Sequence, residues 1–164
     1  MTANDGNTRR TFLKLAAGGI PLVGINAASA ADESTAAKSP PARRVIPGTP
    51  GSPLSRAVIH QQLAFVSGVL GTKPGTRELA AADFEGQCRQ VMENLKASVE
   101  AAGATMANVL KCTCFLTEES DFGLFNQVYS TFFTKDPPAR STVIVKALVL
   151  PDAKVEVDCV AALT

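Results

Sequence analysis

The stretch DFEGQCRQVMENLKASVEAAG, from Asp83 to Gly103, decides the fold class. Phe84, Cys88, Val91, Leu95, Val99 and Ala102 recur at steps of four, three, four, four and three, which puts them on one face of a helix. Asp83 stands where an N-cap side chain is wanted and Gly103 where a left-handed C-cap is wanted. Upstream, Arg56–His60 and Leu63–Ser67 are short β-rich runs joined by Gln61-Gln62, the pattern of a hairpin. Lys73-Pro-Gly-Thr76 reads as a turn. Downstream, Val109–Leu116 reads as a strand. A second helix follows, capped by Ser120 or Asp121, with Phe122, Phe125, Val128, Tyr129, Phe132 and Phe133 facing inward. Lys135-Asp136-Pro137-Pro138 stops it. Ser141 to about Val149 and Lys154–Leu163 read as the last strands, with a turn at Pro151-Asp152. The order β-β-α-β-α-β-β predicts an α+β two-layer sandwich with both helices on one face of a sheet.

Composition narrows the chemistry. The 164 residues are 46% hydrophobic and 19% charged, with a formal net charge of +1. Such a balance leaves no basic excess for neutralising many phosphates, so nucleic acid is not an expected partner. His60 is the one histidine, which excludes a histidine-based triad and a His-rich zinc site. Cys88, Cys112, Cys114 and Cys159 form no C-x-x-C pair; Cys88 lies on the inward helix face, and Cys112 and Cys114 share one face of a strand. Buried thiols are the expected reading, with no zinc or thioredoxin-type site.

The N-terminus reads as an address. Arg9-Arg10 precede Phe12-Leu13-Lys14, an apolar stretch rich in Gly and Ala, and an Ala28-Ser29-Ala30 cleavage pattern. Residues 1–30 are therefore expected to be a twin-arginine-type export signal and the mature protein periplasmic, with no membrane attachment after cleavage. Residues 31–44 read as a disordered linker, leaving a domain over 45–164.

Two positions stand out for chemistry. Arg140 follows a rigid Pro137-Pro138 turn at the mouth of a strand, and its planar guanidinium can grip a carboxylate through two parallel hydrogen bonds. Glu156 and Asp158 alternate with Val155, Val157 and Cys159 and so share a face of the last strand. Taken alone, Arg140 also reads as a surface arginine, and the two acids as the solvated side of a half-buried sheet.

With their neighbours these residues resemble a known family. Phe65-Val-Ser-Gly68, Gln90–Lys96, Glu100–Ala104, Phe125-Asn126, Pro137-Pro-Ala-Arg-Ser141 and Val155-Glu-Val157 look like the RidA/YjgF family of reactive intermediate deaminases, from about Ser52 to the C-terminus. The resemblance implies a chorismate-mutase-like fold, a homotrimer with clefts between subunits, and cofactor-free hydrolysis of enamines and imines to keto compounds and ammonia. It implies Arg140 and Glu156 as catalytic residues, with Ser67, Gly68, Asn126 and Thr142 lining the substrate site, and an imino or keto acid as the small-molecule partner. Leu54 stands where the family usually has tyrosine, Thr142 where it often has cysteine, and Ile144 where many members have glutamate. A non-catalytic trimer that binds small carboxylates or a protein is the alternative.

Overall fold

The computed structural model describes residues 42–163. The expected export signal lies outside them, as do residues 31–41 of the expected linker. Six strands and two helices follow in the order β1 (Arg44–Pro47), β2 (Ser55–His60), β3 (Leu63–Leu70), α1 (Phe84–Ala102), β4 (Val109–Leu116), α2 (Phe122–Phe132), β5 (Ala139–Ile144) and β6 (Val155–Ala162). They form one sheet of order β1-β2-β3-β6-β4-β5, antiparallel except for the parallel β4–β5 pair. A parallel pair needs a crossover, and α2 supplies it.

The last strand of the chain lies inside the sheet, between β3 and β4. This explains its pattern: Val155, Val157, Cys159 and Ala161 are buried, and the residues between them are half-buried. Ala57, Ile59, Ala64, Val66, Cys112, Cys114 and Leu116 point to the same side, where Val91, Met92, Leu95 and Val99 of α1 and Phe125, Val128 and Tyr129 of α2 meet them in one core. Burying each large aliphatic or aromatic side chain contributes about 1.5–3 kcal/mol. Both helices cover one face of the sheet, and the other face stays open.

The caps of α1 are the ones its sequence offers. Asp83 Oδ1 accepts from the Gly86 N–H at 2.8 Å, and Gly103, at φ 92°, takes the left-handed conformation that closes the helix. The hairpin turn falls at Gln61-Gln62, with His60 paired to Leu63 and Gln61 at φ 54°.

Three details depart from the sequence reading. Strand β1 was not expected; with four residues, three of them exposed, it has too little alternation to register as a pattern, and it opens at Arg44, the last residue of the expected linker. Strand β5 ends at Ile144 and not near Val149, because its partner β4 ends at Leu116 and offers no further ladder after the Val145 N–H bonds Leu116 O. Asp121 directly precedes α2 as its N-cap residue, but its side chain makes no capping bond; a 3-10 turn over Glu119–Asp121 leads into the helix instead.

Candidate functional site

Register decides which side of the sheet each candidate residue occupies. Arg140 pairs with Cys112, and Thr142 with Cys114, both core-facing positions of β4. Arg140 and Thr142 therefore face the helices. Glu156 pairs with Phe115 on β4 and Leu70 on β3, in the alternate set that faces away from them. The sheet separates Arg140 from Glu156 within one chain, so the six candidate residues fall into two groups.

The first group gathers at the free edge of β5. Arg140 Nη2 donates to Asn126 Oδ1 at 2.6 Å. The guanidinium carbon lies 4.7 Å from the Tyr129 ring centroid, 5.2 Å from Phe125 and 5.8 Å from Phe122. Cation–π attraction and one hydrogen bond thus fix a half-buried cation against α2. Phe122 is 42% exposed, so it forms the outer lip of this shelf and not part of the core that its helical spacing indicated. Tyr129 also packs at a tilt against Phe125 and Phe133, with ring centroids 5.5 and 4.7 Å away. Thr142 Oγ1 lies buried beside this group with no hydrogen-bond partner among the described residues. No carboxylate among the described residues pairs with Arg140.

The second group sits on the open face where β3 meets β6. Val66 pairs with Cys159 and Val69 with Val157, so Ser67 and Gly68 together oppose Asp158 and form a β-bulge. Ser67 Oγ donates to Ser55 O at 2.7 Å, which commits that hydroxyl to holding β2 against β3. Gly68 lies directly under the Glu156 carboxyl: a Cβ here would collide with Glu156 Oε1 and stand 3.0 Å from Cδ. Glycine is what lets the carboxylate lie over the backbone. Glu156 makes no hydrogen bond or ion pair to the described side chains. Burial first, and the neighbouring Asp158 charge second, hold its carboxyl above the usual carboxylate range.

The cysteines take no part in either group. All four are free and buried, and burial pushes the thiols of Cys88, Cys114 and Cys159 up to about 12 and that of Cys112 in the same direction. A thiol held neutral is neither nucleophile nor metal ligand at pH 7. Among the described residues, no group of His, Cys, Asp and Glu could hold a metal ion. The buried-thiol reading of the sequence holds.

A cavity of about 580 Å³ opens beside the second group, bounded by Leu54, Ser55, Arg56, Ser67, Gly68 and Ser98 among others. Sequence reasoning found neither Arg56 nor the aromatic shelf under Arg140. The shelf was written as a helical stripe of aromatics, indistinguishable from core by period alone.

The sequence matches the family described as endoribonuclease L-PSP over residues 47–163. Among curated relatives, Protein DfrA of Myxococcus xanthus is 44% identical over 100 residues, 61% of this chain and 76% of that protein. Reactive Intermediate Deaminase A, chloroplastic, of Arabidopsis thaliana is 40% identical over 111 residues, 68% of this chain and 59% of that one. Among solved structures, RidA from the Antarctic bacterium Psychrobacter sp. superposes with a TM-score of 0.65 at 36% identity, over 72% of this chain and 94% of that one.

Proposed function

The chain belongs to the RidA/YjgF family, known also as endoribonuclease L-PSP, and from that premise we propose that it is a homotrimeric hydrolase that converts 2-imino acids and their enamine tautomers to 2-keto acids and ammonia. One observation carries the reading: Arg140 is held by Asn126 and three aromatic rings, yet no carboxylate neutralises it among the described residues. A cation fixed in this way is prepared for a carboxylate from outside.

The reaction follows from the two groups. Arg140 grips the substrate carboxylate and sets the adjacent C=N bond in place. Glu156, ionised and unpaired, takes a proton from water as the oxygen adds to the imine carbon. The proton passes to the nitrogen and gives a tetrahedral carbinolamine, whose hydroxyl proton follows to the nitrogen as the C–N bond breaks, so that ammonia leaves with the carbonyl formed. Imine plus water gives ketone plus ammonia, with no electron gained or lost.

Because the sheet separates Arg140 from Glu156 in one chain, a site containing both needs a second copy. The open face supports that assembly: Phe65 is 47% exposed and Val143 45%, and an apolar sheet face gains from being covered by its symmetry mates. The purified domain is expected to run as a trimer in light scattering at micromolar concentration and to release ammonia from enzymatically generated 2-iminopropionate. A monomer there removes the shared site, and a trimer without ammonia release removes the hydrolase. That second outcome is the one expected of a non-catalytic carboxylate-binding trimer. Leu54 favours this alternative, being 66% exposed beside the cavity and carrying no hydroxyl toward it.

We propose further that residues 1–30 direct export to the periplasm by the twin-arginine route. Replacing both Arg9 and Arg10 by Lys should hold the full-length chain in the cytoplasm. Processed protein in the periplasm of the double variant would remove the assignment.

A further inference from the structure

Strand β2 carries a bulge that aims one arginine. Ile46 pairs with Ala57 and Pro47 with Ser55, which leaves Arg56 as the extra residue. Bulges redirect side chains, and this one sends Arg56 toward α1, where Nε donates to Ser98 Oγ at 3.0 Å. Ser98 in turn donates to Asn94 O at 2.9 Å, and Asn94 Nδ2 donates to Leu70 O and Thr72 O at 2.8 and 2.9 Å. The chain of bonds ties the guanidinium to the end of β3, two residues beyond Gly68.

This arrangement leaves the grip of the arginine unused. Among the described residues its terminal nitrogens make no hydrogen bond, and no acid pairs with it. Arg44, Arg89 and Arg140 each use a terminal nitrogen: on Ala102 O, on Glu85 and on Asn126. Arg56 lines the 580 Å³ cavity that begins at Gly68. Arg77 lines it too, and none of its lining residues is Asp or Glu. Its lining therefore carries two cations and no acid, and it begins at Gly68, on which the Glu156 carboxyl rests.

We propose that this cavity seats the distal carboxylate of the substrate, and that the preferred substrates are 2-imino dicarboxylic acids derived from acidic amino acids. The inference rests on the deaminase reading for the orientation of the imine, which lies over Gly68 at Glu156 with its side chain directed into the cavity. Arg140 of a second copy takes the carboxylate next to the imine, and Arg56 takes the one at the far end. Each carboxylate meets a planar donor fork, the geometry that gives two-point recognition.

The test uses the assembled protein and a matched pair of stable keto acids. 2-Oxoglutarate and 2-oxopentanoate have the same chain length and differ in a terminal carboxylate against a methyl. Calorimetric titration is expected to show 2-oxoglutarate bound about tenfold more tightly or better, since one charge-assisted contact is worth at least that factor. In Arg56→Gln the ratio should fall to about one, and Arg56→Lys should keep part of it, as charge without the fork. A thermal melt of each variant reports its fold independently of binding. A ratio near one in the native protein overturns the proposal, as does tighter binding of 2-oxopentanoate, the result that Leu54 and Val149 would produce if an apolar side chain filled the space. A ratio that survives Arg56→Gln overturns it also, and so does failure of both acids to bind. Ammonia release is read separately. Its absence with the ratio intact removes the deaminase reading, and with it the imino substrates, while the distal carboxylate site at Arg56 stands; its presence with a ratio of one removes this inference alone.

Discussion

Arg140→Ala is expected to lower kcat/KM for 2-iminopropionate by roughly a hundredfold or more. A bidentate guanidinium–carboxylate contact comprises two charge-assisted hydrogen bonds of about 1.5–3 kcal/mol each, and every 1.36 kcal/mol is tenfold in rate. Arg140→Lys should restore only part of the loss, and about ten- to a hundredfold should remain missing. Lysine keeps the charge but cannot lie flat on Tyr129, 4.7 Å from the native guanidinium carbon, or reach Asn126 and substrate with one planar group. The readout is steady-state kinetics beside a titration with pyruvate, which should bind the native protein and fail to bind Arg140→Ala. Unchanged pyruvate binding in Arg140→Ala would take this arginine out of the site. Asn126→Ala should fall between them, since the rings still hold the cation while the 2.6 Å bond is gone.

How much of this was legible follows from the kind of signal each part leaves. Helix α1 was readable because a long helix packed on one side writes its period into the sequence and needs Asp83 and Gly103 at its ends. The inner position of β6 was not readable. Val155, Val157, Cys159 and Ala161 gave the alternation, but sheet order is settled by pairing between distant strands, which local pattern does not encode. The site divided in the same way. Arg140 drew notice through the two prolines before it, and Gly68 through the segment it shares with the family. That Arg140 and Glu156 lie on opposite faces depends on the register Arg140 with Cys112 and Phe115 with Glu156, a fact of three strands at once. Arg56 left no mark at all. Its direction comes from a bulge set by the short β1, and β1 was itself too short to recognise.

Glu156→Gln is expected to lower kcat/KM by about a hundred- to ten-thousandfold, the span of a lost general base. The amide keeps the shape over Gly68 and can orient water, but it cannot take the proton. The native pH profile should carry an acid limb lying above the usual carboxylate range, because burial and then Asp158 raise the Glu156 pKa, and the variant should lose that limb. Stability should move the other way. With its folded pKa raised, Glu156 holds its proton in the folded chain after the unfolded chain has released it. Its contribution to stability is then full below the unfolded value and is lost as pH rises through the folded one. At pH 7 the ionised carboxylate costs folding, so Glu156→Gln should melt above the native protein there, with the difference closing below about pH 4. Gly68→Ala separates position from chemistry: its Cβ displaces the carboxyl from the bulge, so activity should drop while an acid limb remains. Mixing then tests the sharing of the site between copies. Arg140→Ala chains retain Glu156, and Glu156→Gln chains retain Arg140. Trimers refolded from equal amounts should place one intact residue of each kind together in about a quarter of their clefts, if the clefts form between neighbours in a closed ring. Two inactive proteins should thus regain about a quarter of native activity on mixing. No recovery from a mixture shown to contain mixed trimers would confine Arg140 and Glu156 to separate roles, and the opposite-face geometry would then leave Arg140 without a part in the hydrolysis.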